Sequence, residues 1–427
     1  MKNIPILRFP EFEELWNDNL FSDFYEFQTT NSYSRDNLNY ENGTFKNIHY
    51  GDIHTKFRTQ FNVKNENVPY INEDIDTSKI NTNQILKEGD LVLADASEDY
   101  SDIGKSIEVI NVDGQKVVAG LHTLHAKSKN RTYVGYGGFM MKFPSVRKSL
   151  MMIAQGTKVL GISSKRVSQI RINIPSLPEQ QKIADFLTAV DKRIELLEKK
   201  KTLLETYKKG VMKKIFNQEI RFKDDNGNDF PEWEEKRLGD IGEFKTSSVD
   251  KKLDDNEQEV FLVNYMNVYR HETITNKNKH DLMVVTAKPN QIDSNNLLKG
   301  DILFTPSSET PDDIGHSVVI FEDLDDTLYS YHLLRFRPSI KIDILYSHYF
   351  CNNDLVLNQI CRFATGSTRF TISKDSFSKI LINLPCIEEQ SKIARFLDSI
   401  DKQLELLETQ IDKSKTWKKG LLQKMFV

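Results

Sequence analysis

Residues 178–216 read PEQQKIADFLTAVDKRIELLEKKKTLLETYKKGVMKKIF, and this stretch decides the architecture. Apolar residues stand at Ile183, Leu187, Val190, Ile194 and Leu197, then at Leu204, Val211 and Ile215. Their spacing alternates between four and three, the mark of a heptad seam. No Pro or Gly interrupts the run before Gly210, and Glu, Lys and Leu fill the remaining positions, so local propensity agrees with the pattern. At about 1.5 Å per residue the predicted helix is roughly 55–60 Å long, more than one globular domain ordinarily uses.

The stretch occurs twice. Ile183, Leu187, Val190, Ile194 and Leu197 are matched 210 positions later by Ile393, Leu397, Ile400, Leu404 and Leu407. The alignment runs without a gap from Gly156/Gly366 to the end of the chain, with about 27 of 62 pairs identical. Identity includes polar positions that packing does not dictate: E-Q-x-K-I-A at Glu179 and Glu389, D-K at Asp191 and Asp401, and K-K-G at Lys208 and Lys418. Two amphipathic helices with the same seam can bury those seams on each other.

A chain of 427 residues has room for two or three cores, and the repeat sets the number of units at two. Net charge is −4, which by itself points to no nucleic acid. Cys351, Cys361 and Cys386 form neither a C-x-x-C pair nor an even framework, so a reduced, metal-free, cytoplasmic protein is expected. The first residues lack an apolar core long enough for a signal peptide, and no run approaches the roughly 20 apolar residues of a membrane span.

Unit one opens with Arg8-Phe9-Pro10-Glu11-Phe12 and Trp16. Unit two opens similarly with Phe230-Pro231-Glu232-Trp233, after a polar stretch, Lys223–Asp229, that reads as a linker. Short apolar runs predict strands at Leu91–Leu93, Ile107–Ile110 and Lys116–Val118, and at Val260–Val263, Ile302–Phe304 and Val318–Phe321. Each unit is thus expected to be a mixed α/β domain with one strongly bent sheet, followed by its long helix. One further match lies inside the units: Gly89-Asp90, Ser97-Glu98 and Asp102-Ile103-Gly104-x-Ser106 correspond to Gly300-Asp301, Ser308-Glu309 and Asp313-Ile314-Gly315-x-Ser317. Asn264–Asn296 has no partner in unit one and reads as a loop.

Charge is distributed unevenly. Gly114–Arg171 contains no Asp or Glu, and interleaves basic residues with His122, His125, Tyr133, Tyr136 and Phe139. Unit two has a weaker version between Arg335 and Lys374. A positive face with acid excluded suits phosphate neutralisation.

Sites of chemistry are missing. There is no Gly-rich cofactor turn with an Asn/Asp-Pro-Pro-aromatic loop, as DNA methylation on a flipped base requires. Gly104-Lys105-Ser106 has the tail of a P-loop, but Asp99 stands where its first Gly belongs. Asp95, Glu98 and Asp102 could form a nuclease-like metal cluster, yet Asp95 becomes Pro306 in the other unit, and these residues read better as turn and strand ends. His122 and His125 have no third ligand nearby in sequence, which argues against zinc.

Together these features resemble the specificity subunit of type I restriction–modification systems. The carrying motifs are R-F-P-E-F at the opening, G-D-I-L-F-x-x-S-S (Gly300–Ser308), G-S-T-R-F-x-I-S (Gly366–Ser373), and P-x-x-x-E-Q-x-K-I-A-x-F-L at Pro175 and again at Pro385. The resemblance implies an α/β (α+β) fold: two pseudo-symmetric target-recognition domains separated by two long antiparallel helices that form a coiled coil. The expected boundaries are 1–176 and 218–386 for the recognition domains, and 177–217 and 387–427 for the helices. It also implies a non-catalytic chain that binds double-stranded DNA and works with two adenine-methylating modification subunits and with restriction subunits. No cofactor is expected in the chain itself; S-adenosylmethionine, ATP and Mg would belong to the partner subunits. Candidate DNA contacts are Lys158 and Ser367-Thr368-Arg369 in the loops before each helix, then Lys127, Lys129, Arg131, Tyr133 and Arg362. Tyr207 and Trp417 are candidates for docking the modification subunits, or else close the coil. Two other readings remain at this stage: a coiled-coil adaptor joining two protein-binding domains, and a two-headed nuclease centred near Glu98.

Overall fold

The computed structural model describes residues 4–426; residues 1–3, the start of the stretch compared with a signal peptide, and Val427, the last of the repeat, lie outside them. Two compact units result, one running to Glu198 and resuming at Thr409, the other Lys199–Glu408. The long helices are Leu177–Phe216 and Ile387–Lys424. Each starts just after a proline, Pro175 or Pro385, with acidic residues in its first turn and lysine in its last, as the helix dipole favours. The first unit contains the beginning of the first helix and the end of the second. The second unit contains the complementary halves.

Within each unit the two helix halves run antiparallel. In the first, Lys418 pairs with Asp191 and Lys415 with Glu198, while Phe186 meets Trp417 edge-on at 6.0 Å. In the second, Lys208 pairs with Asp401 and Lys201 with Glu408. The pairs Asp191–Lys418 and Asp401–Lys208 are the same contact repeated with the roles of the helices exchanged, which explains identity at polar positions. Seam residues Ile183, Leu187, Val190 and Ile194 are buried, as are Ile393, Leu397, Ile400 and Leu407. Leu197, Leu204 and Leu404 are only partly covered.

The E-Q-x-K motif joins each helix to its own lobe. Glu179, 1% exposed, accepts two 2.7 Å bonds from the Arg8 guanidinium and one of 3.3 Å from Trp16 Nε1. Glu389, fully buried, accepts from Arg221 at 3.2 and 2.8 Å and from Trp233 Nε1 at 2.9 Å. Gln180 accepts from the Tyr133 backbone N–H and donates to the Pro175 carbonyl; Gln390 does the same with Asp343 and Pro385. Lys182 binds Glu11, and Lys392 binds Asp225.

The first unit holds a five-stranded sheet in the order Tyr25–Gln28, Thr123–Ser128, Leu91–Ala94, Ser106–Asn111 and Gln60–Asn62, and a four-stranded sheet beside it. The second unit holds two four-stranded sheets, built around Ile302–Phe304 with Leu334–Pro338, and around Gln258–Val263 with Leu324–Tyr329. This replaces the single bent sheet expected in each. The reason lies in the central strands, which are buried on both faces. Leu91 and Leu93 join one core while Val92 and Ala94 join another; Ile302 and Phe304 part from Leu303 in the same way.

Three other expectations change. Lys223–Asp229 is a tight turn rather than a linker: its ends bridge, and the Asp224 carboxylate accepts the backbone N–H of Asn226 and Asn228. Asn264–Asn296 is not a loop. It carries the helix Tyr265–Tyr269, the strand Met283–Ala287 and the helix Pro289–Asn295. That strand pairs with Gln258–Val263, a long-range contact its own sequence does not announce. The strand expected at Val318–Phe321 stops at Val319, because Ile320 exchanges backbone bonds with the Gly300–Asp301 turn. No helix among the described residues is long and apolar enough to cross a membrane.

Candidate nucleic-acid interface

Each unit presents a small antiparallel ribbon closed by a tight loop. In the first unit Ala96–Ser97 pairs with Leu160–Gly161, and Gln155 bridges to Gly161 around the loop Gly156–Val159. In the second, Ser307–Ser308 pairs with Phe370–Thr371, and Thr365 bridges to Thr371 around Gly366–Arg369. The loops are built alike. Gly156 and Gly366 have φ of +131° and +145°, and a Cβ on them would stand 1.9 Å from the Val159 carbonyl oxygen or 2.1 Å from that of Arg369. These glycines let the loop close and push the next residues outward. Lys158 is exposed in the first loop, with no hydrogen bond or ion pair among the described residues. Ser367, Thr368 and Arg369 are exposed in the second, where Arg369 Nη2 donates to Ser307 Oγ at 3.2 Å. Arg362 is exposed one helical turn before that loop, at the end of the helix Asp354–Phe363.

The other candidates lie elsewhere. The strand Thr123–Ser128 starts opposite Ala94, next to the ribbon, and runs away from it. Lys127 and Lys129 are therefore about 13–20 Å along the sheet at strand rise. There Lys127 Nζ donates to Asn83 Oδ1, Lys129 Nζ to the Ser22 carbonyl, and Arg131 to the Asp23 carbonyl. Tyr133 packs on the core and bonds Gln180 at the start of the long helix.

The acid-free stretch does not make one continuous positive face, as its composition suggested. Lys142 is largely buried, and burial pulls its ammonium down to about 8. Arg147 turns its guanidinium onto the Ser101 and Ile103 carbonyls, and Arg171 pairs with Asp18. His125 is fully buried against Asp90 at 2.9 Å. Acid absent from the segment is thus supplied by neighbours in the fold. The carboxylates near Glu98 also fail to converge: Asp95 faces His122 at 3.3 Å, Asp102 faces His54 and Lys105 at 3.9 Å, and no three potential ligands gather for a metal among the described residues.

Residues beside the ribbons escaped the sequence reading. In the first unit the helix Tyr50–Thr55 places His54 so that Nε2 meets the Ala96 carbonyl at 3.1 Å. In the second the helix Tyr265–Tyr269 places the Tyr265 hydroxyl on the Ser307 carbonyl at 2.9 Å, and Tyr269 on Asp313 at 3.1 Å. Each helix thus touches the ribbon of its own unit. The signal was present in the variable position of the shared D-I-G-x-S motif, Lys105 in one unit and His316 in the other.

Tyr207 is 53% exposed on the first long helix, and Trp417 remains 50% exposed despite its contact with Phe186.

Comparison with known proteins agrees with this doubled frame. The family profile "Type I restriction modification DNA specificity domain" matches residues 14–206 and 231–414. The chain is 27% identical over 282 residues to the type I restriction enzyme MjaVIII specificity subunit of Methanocaldococcus jannaschii, covering 61% of this chain and 63% of the relative. It is 26% identical over 283 residues to the putative MjaX specificity subunit of the same organism, covering 60% and 58%. The matched part therefore spans less than two thirds of either relative. The S subunit of a type I restriction–modification system from M. genitalium has the same fold, with a TM-score of 0.55, 12% identity and 99% of both chains covered. With two profile matches that take in most of its length, the chain belongs to the type I restriction modification DNA specificity domain family.

Proposed function

We propose that this chain is the DNA-reading specificity subunit of a type I restriction–modification enzyme, and is not itself a catalyst. Each unit reads one half of a two-part target, and the paired long helices set the unread gap between the halves. A symmetric dimer copies its symmetry onto a palindrome, whereas two fused and diverged readers call for an asymmetric site. The observation that carries this reading is the repeated ribbon with its glycine-closed loop, whose frame is the same in both units while its tip differs: Lys158 in one and Ser367-Thr368-Arg369 in the other. A common frame with unlike tips is what reading two different sequences requires.

The modification subunits would dock on the long helices, two copies for the two pseudo-equivalent halves, with Tyr207 and Trp417 among their contacts. They would bring S-adenosylmethionine and the adenine-methylating centre, and restriction subunits would add ATP- and Mg-dependent translocation and cleavage. Mapping methylated adenines in a host with and without this chain tests the proposal. The expected result is loss, with the chain, of methylation at one asymmetric motif made of two short halves and a fixed gap. An unchanged methylation map, together with no salt-dependent retention of duplex by the chain and its modification subunits, would overturn it.

A further inference from the structure

Beside the second ribbon lies a hydrogen-bonded chain with two histidines at its centre. His271 Nδ1 faces the Ser317 carbonyl at 3.1 Å, His271 Nε2 faces His316 Nδ1 at 3.2 Å, and His316 Nε2 faces Asp313 Oδ1 at 2.9 Å. The carbonyl only accepts, and so does the ionised carboxylate. Three contacts therefore need three N–H groups: one to Ser317, one to Asp313 and one between the rings. Two neutral imidazoles supply two, and two imidazolium rings supply four. Only the pair carrying a single shared positive charge satisfies every contact.

The chain continues to the candidate reading loop. Asp313 Oδ2 accepts from the Tyr269 hydroxyl, and Tyr269 stacks on Tyr265 at 5.9 Å. Tyr265 donates to the Ser307 carbonyl, and Ser307 Oγ holds Arg369. The first unit has a looser cluster at the matching carboxylate, with a different residue at the motif position. Asp102 faces His54 of the bracing helix and Lys105, each at 3.9 Å, and Lys105 occupies the motif position of His316. At this motif position one unit thus has a lysine ammonium and the other an imidazole paired with a second imidazole.

We propose that the His271–His316 pair is a positioning device for DNA reading by the second unit, which holds its half of the target best with the shared proton in place. The inference rests on the DNA-reading function proposed above. Loss of the proton leaves one contact with two lone pairs opposed, loosens the brace behind Arg369 and removes a positive charge beside the duplex.

Other groups face the pair. Arg270 and Glu272 flank His271, and Glu272 also binds Asn267. The helix Ile344–Phe350 contributes His348, whose imidazole is pushed down by burial. The first long helix brings Lys201, Glu205 and Lys208 to the same cleft, and the second brings Asp398, Asp401, Glu405 and Glu408. Burial pushes the His271 imidazole down, the Ser317 carbonyl opposes this, and His316 adds to the fall. Of all these groups only the three histidines ordinarily titrate between about pH 5 and 8.

The test measures affinity of the full chain with its modification subunits for duplexes carrying the methylation-mapped target, and for two probes in which one half or the other is scrambled. Between pH 6 and 8 the affinity for one single-half probe should fall several-fold, by at most about tenfold per pH unit for one linked proton. His316→Lys should flatten that profile at high affinity, and His316→Gln should flatten it at low affinity. Histidine NMR of the unsubstituted chain should show one proton lost from His271 and His316 together. The proposal is overturned by flat profiles for both probes, by slopes that His316→Lys leaves unchanged in both, or by two separate one-proton titrations. Failure to bind any duplex at any pH would instead overturn the DNA-reading function.

Discussion

Arg369 and Lys158 are exposed in equivalent loops, each closed by a glycine three or two positions before it, and Ser307 Oγ also accepts from the Arg369 guanidinium. A guanidinium can take a guanine edge with two hydrogen bonds, and an ammonium can serve a phosphate or a guanine acceptor. Arg369→Ala and Lys158→Ala should each weaken duplex binding by about 1–3 kcal/mol if they touch bases, and relax the sequence requirement in one half only. A phosphate contact gives a different result: a uniform loss across sequences and a salt slope shallower by about one. Binding titrations at several salt concentrations separate the two, and unchanged binding removes these residues from the interface. The loops were legible in the sequence because glycine and the motif that follows it repeat. Lys127, Lys129 and Arg131 were singled out by the same local charge, yet the strand that carries Lys127 and leads to the other two runs away from the ribbon.

At the scale of elements, each long helix is fastened to its lobe by a buried carboxylate. Glu389 is fully buried while its arginine partner keeps some contact with solvent, so the two sides of the pair are unequal. Arg221→Ala should destabilise the second unit by about 3 kcal/mol, because among the described residues it leaves the buried carboxylate with the Trp233 donor alone. Thermal unfolding of the full chain should show an earlier transition, and Arg221→Lys should restore little of it, since an ammonium cannot reproduce the two parallel bonds. An unfolding curve that does not move would mean that the carboxylate is satisfied without the guanidinium. The identity of Glu179 with Glu389 was plain in the sequence. That Arg8 and Arg221 serve them was not, since the two arginines lie at different distances from their helices.

For the whole molecule the heptad period supplies a test. Inserting seven residues in each long helix, after Glu198 and after Glu408, adds two helical turns, about 10 Å, and keeps the seams in phase. On the proposed function the unread gap should lengthen by about three base pairs at 3.4 Å per step, with both half-sites unchanged. Methylation mapping reads the outcome directly. New half-site sequences, or an unaltered gap, would show that the helices do not measure the target.

The sequence by itself determined the doubling, the two helices and the docking motif at their starts, because heptad periodicity and repeated polar identities are local signals that survive divergence elsewhere. It also showed where the ribbon loops lie. Tertiary structure alone decided how many sheets each unit has, since a strand buried on both faces carries no alternation to read. It alone turned Asn264–Asn296 from a loop into a bracing helix and an edge strand. It also dispersed the charge of the acid-free segment, because a cation's partner is set by what packs beside it and not by what precedes it in the chain. The histidine pair arises the same way: His271 and His316 are distant in sequence, and only the fold brings the two rings between two acceptors.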